Sequence, residues 1–89
     1  MDVELSQLLI SIRNKSNITV DNVGDLKLLE EDINMVSGVS ISFNTLRRLY
    51  GFLPQTKVSK KTLDTLARYL GFSSYSNYLN KKNIYDHWY

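Results

Sequence analysis

The side chains best equipped for chemistry fall in two short stretches. Ser42, Asn44, Thr45, Arg47 and Arg48 come from the first, and Lys57, Ser59, Lys60 and Lys61 from the second. Neither stretch offers a nucleophile beside a base. What they offer is amide, hydroxyl and guanidinium groups that hydrogen-bond to base edges, and cations that pair with phosphates. The plainer alternative is a solvated helix face and a basic patch that balances acids elsewhere in the chain.

Two helices must position these groups. Over Ile41 to Tyr50, Ile41, Leu46, Leu49 and Tyr50 can face inward while Ser42, Asn44, Thr45, Arg47 and Arg48 face outward. The Ser42 hydroxyl suits an N-cap, and Gly51 can take the left-handed conformation that closes the helix. Ser59 caps the next helix, which runs to Leu70 with Leu63, Leu66, Ala67 and Leu70 as its buried stripe. Lys60 and Lys61 then lie in its first turn, where the helix dipole disfavours each cation by about 0.3–1 kcal/mol. A phosphate at that helix end would account for them, because a helix N-terminus attracts anions.

The remaining chain supplies the scaffold. Leu5, Leu8, Leu9 and Ile12 repeat at helical spacing over residues 3–13, ahead of a polar turn at Asn14-Lys15-Ser16-Asn17 and an extended Ile18-Thr19-Val20. Asp21, Asn22 and Asp25 mark the start of a second helix, with Leu26, Leu29, Ile33 and Val36 inward, Lys27 and Glu31 paired outside, and Gly38 as its stop. Pro54 breaks the chain before a polar loop, Gln55-Thr56-Lys57-Val58. Gly51-Phe52 and Gly71-Phe72 are one helix ending used twice: glycine just past the end, then a phenylalanine that packs back. Ser73-Ser74 starts a last short helix that docks Tyr75, Tyr78 and Leu79 and ends near Lys81 and Lys82. Asn83 to Tyr89 reads as an aromatic tail or a cut edge of a longer chain.

These elements predict an all-α fold, a compact bundle of about five helices within one domain over residues 1–89. The net charge of +2 hides an asymmetry. Residues 1–46 carry seven acids against three bases, a balance of −4; residues 47–89 carry eight bases against two acids, a balance of +6. Such a split suggests a side that faces a polyanion. The absence of cysteine excludes disulfides and thiolate metal sites, and a reducing, cytoplasmic setting is the expectation. No apolar run suits a bilayer span, and the acidic N-terminus is unlike a secretory signal.

From Leu28 to about Leu79 the sequence resembles helix-turn-helix domains of the lambda-repressor and Cro type. Ile41-Ser42-Phe43-Asn44-Thr45-Leu46-Arg47-Arg48-Leu49 is similar to their turn and recognition helix. Val58-Ser59-Lys60-Lys61-Thr62-Leu63-Asp64-Thr65-Leu66-Ala67-Arg68-Tyr69-Leu70-Gly71-Phe72 is similar to the helix that follows and its glycine end. The likeness is closer still to a domain near the start of many uncharacterised Bacteroides-type proteins, where an Ile-Ser-x-x-Thr-Leu-Arg-Arg run and a glycine after the second helix recur. The resemblance implies sequence-dependent binding of double-stranded DNA in a transcription-regulator-like protein. It would place Ser42, Phe43, Asn44 and Arg48 at base edges, and Thr45, Lys57, Ser59, Lys60 and Lys61 near phosphates; the residues themselves add Arg47, from the segment before the Ser59-capped helix, to the same ridge of phosphate contacts. Asparagine pairing with adenine and arginine with guanine each carry roughly 1–3 kcal/mol of discrimination. Two features depart from the repressors: a longer turn over Gly38-Val39-Ser40, and Phe43 where they carry a polar reader. Phe43 suits a thymine methyl, the core, or a protein-binding surface.

Enzymatic activity, a cofactor and a metal are not expected. His87 is the only histidine, there is no glycine-rich phosphate loop, and the acids of the second helix read as caps and surface charges. The runner-up function is a protein-interaction module on the same scaffold without DNA binding, with Phe43 and the aromatic tail as its sticky elements. RNA binding ranks third. A homodimer is a possible partner arrangement, although the sequence carries no clear dimerisation stripe.

Overall fold

A computed structural model describes residues 3–54 and 57–86, with side chains up to residue 81. The loop residues Gln55 and Thr56, and the tail residues His87, Trp88 and Tyr89, lie outside the described residues, as does the Lys82 side chain. Five helices follow in order: α1 (Val3–Ser16), α2 (Val23–Ser37), α3 (Phe43–Leu49), α4 (Lys60–Tyr69) and α5 (Tyr75–Asp86). Among the described residues there is no strand, and no helix is long and apolar enough to cross a membrane. The fold is therefore all-α, as the apolar spacing predicts.

Apolar residues three and four apart meet in one core. Leu5, Leu8 and Ile12 of α1 join Leu26, Leu29 and Ile33 of α2, Ile41, Leu46 and Leu49 around α3, Leu66, Ala67 and Tyr69 of α4, and Tyr78 of α5. Helix α4 is central: it packs on α1, α2 and α5, while α3 packs chiefly on α2. Burying each of these large side chains stabilises the fold by roughly 1.5–3 kcal/mol before entropy is subtracted.

Local hydrogen bonds set the helix ends. Asn22 Oδ1 accepts from the Asp25 amide at 3.0 Å, and Asp25 Oδ2 accepts from the Asn22 amide at 3.2 Å, a reciprocal capping box. Ser42 and Ser59 accept from the amides of Thr45 and Thr62. At the other ends, Phe52 N–H donates to Arg47 O and Phe72 N–H to Ala67 O, while Gly51 and Gly71 hold φ of 85° and 99°. These are two copies of the six-to-one closure that glycine permits. The phenylalanines then diverge: Phe72 packs edge-on to Tyr78, whereas Phe52 stays exposed at the rim.

Several expectations are corrected. Helix α1 runs through Asn14-Lys15-Ser16 and ends at Asn17, whose φ of 60° lets its amide close on Arg13 O. A polar run is no barrier to a helix whose other face is already buried. Val36 is 50% exposed: the chain turns at Gly38, and Ile41 brings the next apolar group to the core. Lys27 pairs with Glu30, one residue short of Glu31. Leu63 and Leu70 are half-buried, while Thr65 and Tyr69 are fully enclosed, because a central helix buries more than one stripe. Helix α5 continues to Asp86, so Lys81 does not lie in its last turn.

Candidate nucleic-acid interface

Helix α3 has its buried side at Leu46 and Leu49. At about 100° per residue, Asn44 lies opposite that side, with Arg47 and Arg48 flanking it, Phe43 toward one edge and Thr45 toward the other. Ser42 and Asn44 are exposed; Phe43, Thr45, Arg47 and Arg48 are half-buried. Arg47 is not the free outward cation that spacing alone implies. Its Nη1 donates to Asn44 Oδ1 at 3.2 Å, its Nε is enclosed without a hydrogen-bond partner, and its guanidinium carbon lies 5.7 Å from the Phe43 ring centre. Asn44 is thereby held by its own helix, with its amide nitrogen left to donate.

The two stretches meet where the chain enters α4. Thr45, Arg48 and Leu49 on one side, and Lys57, Val58, Ser59 and Thr62 on the other, surround a depression of about 180 Å³. Ser59 is fixed there as the cap of α4, and its hydroxyl also donates to Thr62 Oγ1 at 3.0 Å. Four of the residues assigned to DNA contact, Thr45, Arg48, Lys57 and Ser59, thus share one concave surface carrying two cations and no carboxylate.

Lys60 and Lys61 stand apart from it. They line a second hollow with Val39, Asp64, Thr65 and Arg68. Lys60 Nζ lies 3.6 Å from Asp64 Oδ2, and Asp64 Oδ1 accepts from the Tyr75 amide at 2.9 Å. Asp64 therefore caps α5 from another helix and offsets one lysine. Part of the reason for two lysines at this helix start is internal to the fold; Arg68 Nε donates to Ser73 O at 3.5 Å, and among the described residues Lys61 and Arg68 have no carboxylate paired with them.

Phe43 packs against the core, and the Lys27 ammonium lies 4.8 Å from its ring centre. Of the three roles open to it, filling the edge of the core is the one its surroundings support. Sequence reasoning missed Lys27 as a member of this surface. A cation and an aromatic ring sixteen positions apart leave no periodic signal. Compared with family models, curated proteins and solved structures, the chain gives no significant match to any.

Proposed function

We propose that this domain binds double-stranded DNA as a helix-turn-helix of the lambda-repressor kind. In this reading α2 and α3 are the paired helices, and α3 enters the major groove of a regulatory site in the cytoplasm. The observation that carries it is the joining of Arg48 and Thr45 to Lys57 and Ser59 around one carboxylate-free concavity, next to the outward Asn44. Asn44 and Arg48 would read base edges, with Ser42 at the helix start. Thr45, Lys57 and Ser59 would hold the backbone beside them, and Lys61 would add a more distant phosphate contact. No catalytic step is part of the proposal.

Fluorescence anisotropy on random duplex DNA at several salt concentrations tests it. With about four or five phosphates neutralised, log K falls against log salt with a slope near −4. Lys57→Ala lowers the steepness by about one, and Asn44→Ala weakens discrimination between sequences more than overall affinity. No binding at low salt, or binding indifferent to both changes, overturns the proposal.

One observation favours the second reading, a protein-interaction module. Leu9, Ile10, Ile18, Val20 and Leu53 line an open, largely apolar groove of about 560 Å³, and Ile10 is 48% exposed. A partner seated there would bury apolar surface, and its affinity would change little with salt.

A further inference from the structure

Lys27 and Arg47 come from different helices and converge on one ring. Lys27 sits in the second turn of α2 and Arg47 in the last turn of α3, and both charges lie within 6 Å of the Phe43 ring centre. Each cation gains from the ring's negative face. Yet two like charges brought to one ring repel each other, and only Lys27 has an acid beside it, Glu30 Oε1 at 3.1 Å. Among the described residues no carboxylate answers Arg47. Its Nε is enclosed without a hydrogen-bond partner, and its Nη1 donates along the helix to Asn44 Oδ1, so the half-buried guanidinium is oriented by its neighbours.

We propose that Lys27 and Arg47 form a phosphate subsite across the α2–α3 contact, with Phe43 as the platform that orients both. The proposal deepens the reading of this surface as DNA-binding, and it gives Phe43 a positioning role in place of a base contact. The occupant is an anionic phosphate group: the two cations carry one more charge than Glu30 offsets, and they reach one ring from α2 and from α3. Lys27 thereby joins a site to which the sequence assigns only α3 and the α4 entry.

The test uses the full chain in two parallel arms. In the first, inorganic tripolyphosphate is titrated while NMR follows the Arg47 Nε–H and Lys27 side-chain signals. In the second, anisotropy on duplex DNA gives the salt slope. The expected result is that both side chains shift together with tripolyphosphate, and that Lys27→Gln reduces the salt slope by about one. Phe43→Leu keeps the apolar bulk but uncouples the two signals and weakens duplex binding severalfold, whereas Phe43→Tyr retains both. Lys27→Gln with an unchanged slope, or Phe43→Leu that folds and behaves as the parent, overturns the subsite. If Phe43→Leu does not fold, Lys27→Gln and Arg47→Gln decide in its place. If tripolyphosphate moves both side chains in the parent but leaves the one remaining cation unmoved in each variant, while the parent ignores duplex, the DNA reading falls and the subsite stands. Silence in both arms ends both.

Discussion

The Tyr69 hydroxyl donates a hydrogen bond to Asp32 Oδ2, tying α4 to α2 across the middle of the domain. The Tyr69 ring is buried, and the Lys15 ammonium at the end of α1 lies 5.5 Å from its centre. Three helices therefore meet at one phenol. Tyr69→Phe keeps the ring but leaves the carboxylate without this donor. A hydrogen bond to a charged group contributes about 1.5–3 kcal/mol, and the low end applies because Asp32 is half-exposed and can recover water. Thermal unfolding should show a drop of about 4–8 °C per kcal/mol lost. A melting temperature equal to the parent's would remove this pair from the account of stability.

Alkaline pH reads the same region from another side. Burial pushes the Tyr50 hydroxyl from 10.0 up to about 12. Tyr69 is also raised, first by burial and then by the hydrogen bond to Asp32 and its negative charge. A raised phenol means that the folded state favours the neutral form. The corresponding stability is present in full below pH 10 and is lost, for Tyr50, as pH climbs through about 12. Ultraviolet absorbance of tyrosinate should show late-titrating tyrosines in the folded chain and none after denaturation. Asp32→Asn should bring the Tyr69 titration to lower pH. Ordinary titration of every tyrosine in the native protein would contradict the burial of both.

Gly51 and Gly71 occupy the same place in the two helix endings, with positive φ and no neighbouring atom within 4 Å of where a Cβ would stand. The cost of alanine at either position is therefore conformational and not steric. Forcing a residue with a Cβ into this region costs about 1–3 kcal/mol. Gly71→Ala should be the more damaging of the two. Its ending places Phe72 against Tyr78 and so fixes where α5 docks, whereas Phe52 has little to lose. Equilibrium urea unfolding of both variants checks the order. A larger loss for Gly51→Ala would mean that the segment after α3 carries more of the fold than its exposure indicates.

Much of the scaffold was legible in the sequence because its determinants are short-ranged. Caps such as Asn22, Ser42 and Ser59 act on amides three residues away, and Gly51 and Gly71 act within one turn. Apolar residues three and four apart mark a helix face regardless of what covers it. The limits of α1 and α5 were less legible, since a helix docked on one side can run through Asn14-Lys15-Ser16 without any help from propensity.

The candidate site divides along the same line. The chain itself determined which residues stand on the outward side of α3 and which start α4, because a helix of known phase allows no other choice. Only the tertiary structure decided which of them meet. It set Arg48 beside Lys57, gave Lys60 to Asp64, enclosed part of Arg47, and brought Lys27 over Phe43. Each of these depends on how whole helices pack or how one side chain settles among its neighbours. Periodicity gives the facing of a residue on its own helix, and packing alone gives the residue on the other side.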